Sequence, residues 1–167
     1  MIKTILFICT GNTCRSIMAE GIFKKMLRDK KRNNSGFNII SAGISALPGM
    51  SPTSEAMKVM REQGIDISPH TATQVQDDLI KKSDLILVMS NAHENYIKTR
   101  FTFARDKIYL LRKFAQIEKF KKLQEDDKNY EIVDPLGRSI GFYRIIAKQL
   151  RENLEKILDK ILDENNK

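Results

Sequence analysis

The chain has 167 residues, 41% of them hydrophobic and 30% charged, enough for one domain (1–167) with a core of its own and with no composition break that marks a second. No apolar run approaches membrane-spanning length, and Met1-Ile2-Lys3 leads straight into a strand pattern, so a soluble, cytoplasmic protein with no membrane partner is expected. The formal charge of +8 raises nucleic acid as a partner, but aromatics are 7% of the chain and none stands among Lys24, Lys25, Arg28, Lys30, Lys31 and Arg32. That run reads as a solvated helix end without specific nucleic-acid binding, and a basic face attracts phosphorylated substrates equally well.

Ile5 to Ile8 is an apolar, partly β-branched run too short for a helix, and predicts a buried strand ending at Cys9. Gly11 and Asn12 let the chain turn. From Ser16 onward Ile17, Glu20, Met26 and Leu27 sit among good helix formers, so a helix follows until Asn33-Asn34-Ser35-Gly36 ends it. Phe37 to Ala42 predicts a second strand closing at Gly43. Ser51-Pro52, a cap with proline at the first helical position, starts a helix with Ala56, Met57, Val59 and Met60 on its apolar side; Gly64 stops it, and its expected role is packing only. Ile65 to Ala72 is irregular and Val75 to Lys82 a short helix. Leu85 to Met89, flanked by Asp84 and Ser90, is the most hydrophobic strand candidate and reads as a central parallel strand. Ala92 to Arg100 predicts a helix, Ile108 to Leu111 a strand, and Phe114 to Leu123 a basic helix. Gln124 to Glu131 is acidic and loop-like and leads to Val133-Asp134-Pro135-Leu136-Gly137. A long amphipathic helix then runs from about Ile140 to Leu162, with Ile146, Leu150, Leu154, Ile157, Leu158 and Ile161 as its core stripe. Strands alternating with helices imply an α/β fold: a doubly wound four-stranded parallel sheet with helices on both faces. In such folds ligands bind beyond the carboxyl ends of the strands, where Cys9 lies.

The stretch Phe7 to Ser16 holds a thiol and a guanidinium in one small polar loop. Strand, loop and helix N-terminus together form an anion cradle, since successive backbone N–H groups converge and the positive end of the helix dipole adds to their field. Five residues separate Cys9 from Arg15, so closing the loop sets the sulfur on the cradle floor and the guanidinium in its wall. A free thiol has a pKa near ~8.5; loop amides, dipole, Arg15 and the Ser16 hydroxyl all favour the thiolate, so Cys9 is expected to titrate low. The two cysteines, Cys9 and Cys14, share this loop and form neither a disulfide framework nor a zinc site. A thiolate attacking phosphorus needs its leaving atom protonated, and Asp134 is the candidate acid, on a loop stiffened by Pro135 and freed to fold over by Gly137. Taken singly, a buried thiol, a surface arginine and a turn aspartate are the commoner fates of these residues; their combination carries the reading. His70 and His93 are too isolated to form a metal pair and read as structural or surface residues. Leu47 belongs either to the pocket mouth or to a plain loop.

On Cys9-Thr10-Gly11-Asn12-Thr13-Cys14-Arg15-Ser16, Ser41-Ala42-Gly43, His70 to Ala72, Asp84 to Met89 and Asp134-Pro135, the sequence resembles the low-molecular-weight protein tyrosine phosphatases over nearly its whole length, and most closely their protein-arginine phosphatase branch. The resemblance implies a monomeric phosphoprotein phosphatase that works through a phosphocysteine intermediate without a metal or other cofactor. It makes Cys9 the nucleophile, Arg15 the phosphate clamp, Asn12 and Ser16 supports of loop and thiolate, and Asp134 the general acid. Thr10, Gly11, Asn12, Thr13, Cys14 and Ser16 then form the phosphate loop. It further implies a reversible disulfide between Cys14 and Cys9, against the plainer reading of Cys14 as a packed thiol. Thr13 stands where the family's tyrosine phosphatases usually carry a branched aliphatic residue, and its hydroxyl suits a planar guanidinium leaving group. Leu136, on the pocket rim, stands where both branches tend to have an aromatic ring. Phosphoarginine is the expected substrate and phosphotyrosine the alternative. Arsenate reductase shares the fold and loop but passes oxidation to further cysteines, which this chain lacks. A non-catalytic phosphoprotein binder has no need of Cys9, Arg15 and Asp134 together.

Overall fold

The computed structural model describes residues 1–30, 36–117 and 129–165. In chain order these form β1 (Thr4–Cys9), α1 (Arg15–Asp29), β2 (Asn38–Gly43), α2 (Ser54–Arg61), α3 (Asp77–Lys82), β3 (Leu85–Val88), α4 (Asn91–Arg100), β4 (Ile108–Leu110), α5 (Leu111–Gln116) and α6 (Ile140–Asn165), with a 3₁₀ turn at Thr102–Lys107 before β4. The sheet is four-stranded with order β2-β1-β3-β4, and every pairing is parallel. As expected for strands covered on both faces, β3 is the unbroken apolar run Leu85–Val88, buried throughout.

Alternation along β1 decides where the sulfur goes. Ile5, Phe7 and Cys9 enter the core beneath α1, α2, α5 and α6, together with Leu85, Leu87 and Met89. Leu6 and Ile8 enter the opposite core with Ile86, Val88, Ile80 of α3 and Ile97 of α4. Phe7 and Phe23, both fully buried, meet with ring centroids 5.9 Å apart, a tilted pairing that adds about 0.5–1.5 kcal/mol beyond the area buried. The entry of β1 is pinned by Asp84 Oδ2, which accepts the N–H groups of Lys3 (2.9 Å) and Thr4 (2.8 Å). The bond from Thr4 is the main reason that carboxyl lies below its usual range. The expected stripe of α6 is buried as predicted, and Asn165 at its far end bonds both the N–H and the carbonyl of Ile2. No helix among the described residues is long and apolar enough to cross a membrane.

Element boundaries move where a specific bond outweighs local propensity. α2 starts at Ser54, not at Ser51-Pro52, because Thr53 is the cap: its Oγ1 accepts the Ala56 N–H at 3.3 Å, and its own N–H is held by the Thr13 carbonyl at 3.0 Å. The packing-only role expected for α2 is therefore corrected, since its cap residue, Thr53, is tied to the loop after β1. Gly64, at φ +70°, ends this segment as expected. α3 starts at Asp77 and not at Val75, whose N–H is taken by the Gly43 carbonyl. β3 stops one residue before Met89, whose carbonyl accepts the Ile132 N–H at 2.8 Å. β4 ends at Leu110, and α5 begins three residues before the expected Phe114. The expected helix beyond Ile117, the acidic stretch up to residue 128, and residues 33–35 of the expected stop after α1 lie outside the described residues.

Candidate active site

β1 delivers Cys9 to the carboxyl end of the sheet, opposite Gly43 of β2, and α1 starts six residues later at Arg15. The turn between them rests on Asn12, which takes the left-handed conformation (φ +56°), while Gly11 does not. Asparagine tolerates this region better than most side chains, and here its fully buried amide is used completely. Nδ2 donates to Ser16 Oγ at 2.8 Å and to Ser41 Oγ at 2.9 Å. Oδ1 accepts the Thr73 N–H at 2.9 Å and lies 3.1 Å from His70 Nε2, which is also 3.0 Å from the Asn12 carbonyl oxygen. Ser41 passes the chain of bonds on to the Glu20 carboxylate. A Cβ on Gly43 would stand 2.4 Å from the Thr10 carbonyl oxygen and 3.0 Å from the Asn12 nitrogen, so only glycine lets the loop lie on the end of β2.

Cys9 is buried, and the Asn12 N–H donates to its Sγ at 3.3 Å. Ser16 Oγ lies 2.9 Å from the same sulfur. Because Ser16 already accepts from Asn12 Nδ2, its own proton is free to point at Sγ. The first turn of α1 holds no acidic residue and its cap residue, Cys14, makes no side-chain cap bond, so the first amides of α1 are open to an anion.

The Arg15 guanidinium, 4% exposed, bridges this loop to the distant Asp134. Nη1 donates to the Ile132 carbonyl at 2.9 Å, and Nη2 to Asp134 Oδ2 at 3.1 Å and Thr10 Oγ1 at 3.4 Å. Its Nε is buried without a hydrogen-bond partner, a rare state for a charged group and one that a phosphoryl oxygen would relieve. His93 braces the same wall, with Nε2 2.8 Å from Thr10 Oγ1 and Nδ1 2.9 Å from Ser90 Oγ. Burial, reinforced by the neighbouring Arg15 charge, lowers its pKa to about 4, so the imidazole is neutral at physiological pH.

Cys14 has its own set of neighbours: its Sγ lies 3.5 Å from both Thr53 Oγ1 and Tyr143 Oη, and 3.9 Å from Thr13 Oγ1. Burial pushes the Cys14 thiol up, and burial likewise raises Tyr143. Leu47 and Leu136 are 69% and 64% exposed; the loop of Leu47 is bonded to the cradle through Ser45 N–H to Thr10 O, and Leu136 N–H bonds within its own loop to Asp134 Oδ1. The structure thus joins Cys9, Thr10, Asn12, Arg15, Ser16 and Asp134, and leaves both leucines at the surface. His70 and His93 are structural, as one of their two expected readings held, but the structure they support is this loop. Thr53 and Thr73 were not legible in the sequence, because their bonds to residues 12–14 cross 39 to 61 positions and follow no local motif.

Residues 4–167 match the family model described as low molecular weight phosphotyrosine protein phosphatase. The chain is 32% identical over 157 residues to the protein-arginine-phosphatase of Bacillus subtilis (strain 168), covering 94% of this chain and 93% of that protein. It is 40% identical over 161 residues to the probable low molecular weight protein-tyrosine-phosphatase EpsP of Ralstonia nicotianae, covering 96% and 97% respectively. A solved structure of the arginine phosphatase YwlE, a cysteine-to-serine mutant whose active-site serine is phosphorylated, superposes with a TM-score of 0.83 at 30% identity over 95% of each chain. Relatives named for either activity thus match almost end to end, and the chain belongs to the low molecular weight phosphotyrosine protein phosphatase family, as a phosphoprotein phosphatase.

Proposed function

We propose that this phosphatase hydrolyses phosphoarginine on proteins through a phosphocysteine intermediate, with Cys9 as nucleophile, Arg15 as phosphate clamp and Asp134 as general acid. The observation that carries the reading is the convergence of three groups on one cradle: Cys9 Sγ under the Asn12 N–H, the buried Arg15 with an unpartnered Nε, and Asp134 3.1 Å from that guanidinium. The backbone from Thr10 to Ser16, Gly11 and Thr13 included, wraps the phosphoryl oxygens, and Arg15 takes the equatorial ones. Cys9 sulfur bonds to phosphorus as the P–N bond of the phosphoguanidine breaks, and the departing nitrogen takes the proton of Asp134. The carboxylate then takes a proton from water as its oxygen attacks phosphorus, the S–P bond breaks, and phosphate leaves. Asp134 and phosphate compete for Arg15, so substrate binding frees the carboxylate from its resting ion pair, and beside the phosphoryl charge it takes up from solvent the proton that it then donates.

Thr13 supports phosphoarginine over phosphotyrosine, since its hydroxyl suits a planar guanidinium leaving group, whereas Leu136 departs from the pattern of both branches. The 40% identity to a probable tyrosine phosphatase favours phosphotyrosine as the second reading. Cys14 is assigned as redox partner: Cys9 is the sulfur an oxidant attacks first, and a second thiol in the loop protects it by forming a disulfide. The enzyme is taken to act as a monomer on phosphorylated proteins of the cytoplasm, with no specific nucleic-acid partner.

Phosphate release from phosphoarginine and phosphotyrosine proteins tests the assignment, with acid-quenched turnover of labelled substrate to trap phosphocysteine. A kcat/KM at least tenfold higher on phosphoarginine is expected, along with label on Cys9 and no turnover by Cys9→Ser. The opposite preference selects the second reading, and appreciable turnover by Cys9→Ser removes Cys9 as nucleophile.

A further inference from the structure

Asp134 stands in a segment with no strand or helix of its own: from Asn129 to Ser139 the backbone is irregular, and α6 begins only at Ile140. A proton donor must nevertheless stand within a fraction of an ångström of its productive position, so other groups have to hold this segment. The Ile132 N–H is fixed by the Met89 carbonyl at the end of β3, and Glu131 Oε1 accepts the Asn91 N–H at the start of α4, at 2.9 Å. Beside these and the Arg15 bonds to Ile132 and Asp134, a further grip comes from α5. Arg112 Nη1 donates to the carbonyls of Asn129 at 2.9 Å and Glu131 at 3.1 Å.

Both bonds come from one planar nitrogen, so the guanidinium holds the two carbonyls together. Arg112 Nε is buried with no partner, a cost that an apolar side chain at this position would avoid. A guanidinium kept despite that cost calls for a role beyond packing. We propose that Arg112 is a positioning residue for the general acid: by clamping the Asn129 and Glu131 carbonyls it sets how far Asp134 reaches over the cradle. The inference rests on the assignment of Asp134 as the acid. Arg112 makes no hydrogen bond to Cys9 or Arg15, and Ile132, whose carbonyl holds Arg15 Nη1, is fixed independently through its N–H by the Met89 carbonyl, so the main effect of Arg112 is expected on the acid-dependent part of the reaction.

The test uses Arg112→Met and Arg112→Lys, checked for native urea midpoints, on a phosphoarginine protein and on an aryl phosphate whose acidic phenol leaves without a proton. Arg112→Met should lose about tenfold in kcat/KM, which reports the steps up to transfer of phosphorus to Cys9, on phosphoarginine and less than twofold on the aryl phosphate, with inhibition by inorganic phosphate unchanged. Arg112→Lys, which keeps the charge and can reach one carbonyl, should fall between and serves if the methionine variant does not fold. Added to Asp134→Asn, Arg112→Met should cost nothing more. Equal losses of kcat/KM on both substrates, weakened phosphate inhibition, or an undiminished kcat/KM on phosphoarginine each overturn the proposal. Equal losses for Asp134→Asn alone overturn the acid assignment and this inference with it, so the two failures are told apart by which variant shows them.

Discussion

Replacing Asn12 separates two things the side chain does, namely bonding the loop and permitting its left-handed turn. Its amide makes two donor bonds, to Ser16 and Ser41, and Oδ1 faces two donors, the Thr73 N–H and His70 Nε2, all within a fully buried site. At about 1 kcal/mol per bond, Asn12→Gly and Asn12→Ala should each lose about 4 kcal/mol. Alanine adds about 1–2 kcal/mol for holding φ at +56°, of which the freer unfolded chain of the glycine variant offsets about 0.4–1 kcal/mol. Glycine should therefore be the more stable of the two, by up to about 1.6 kcal/mol. Urea unfolding measures both quantities, and in a domain of this size the loss lowers the thermal midpoint by roughly 8–16 °C. Inhibition by inorganic phosphate should weaken in parallel as the loop opens. A loss below about 1 kcal/mol for both variants would refute the bracing role, and an alanine variant clearly more stable than the glycine one would refute the backbone argument.

Thr13→Ile keeps the β-branched shape but replaces the hydroxyl, and the ratio of kcat/KM on phosphoarginine to that on phosphotyrosine should fall by roughly one to two decades; an unchanged ratio on folded protein leaves Thr13 a spacer. Arg15→Lys should lose nearly all turnover, because a point charge cannot reproduce a planar contact that now spans Ile132, Thr10 and Asp134; near-normal kcat contradicts the clamp. His93 has a folded pKa of about 4 against an ordinary 6.5, so between those values the unfolded chain binds the proton that the folded one refuses. Stability is full above pH 6.5 and falls as the pH drops toward 4, by about 2 kcal/mol from this residue between pH 7 and pH 4.5. His93→Gln should flatten that part of the urea profile, and an unaltered slope shows that His93 is not its source.

Local chemistry was legible without coordinates wherever the physics is local. The apolar run Ile5 to Ile8, the loop from Cys9 to Arg15 and the stripe of α6 each depend on neighbours within a few residues, and each formed as expected. Alternation of strands and helices was enough for the parallel sheet, because parallel strands need a crossover and helices fill it. Boundaries such as the start of α2 were not legible, since Thr53 is chosen as cap by a bond to Thr13 that no propensity encodes. The assembled site is likewise a product of topology. Asp134 reaches Arg15 across 119 positions and His93 reaches Thr10 across 83 because β1 and β3 lie side by side and end on one edge, while His70 reaches Asn12 across 58 because residues 73–75 are bonded to Gly43 at the end of β2. The sequence names the groups that can do the chemistry, but which of them meet depends on chain paths whose contacts are long-range and specific, and only the folded sheet brings those together.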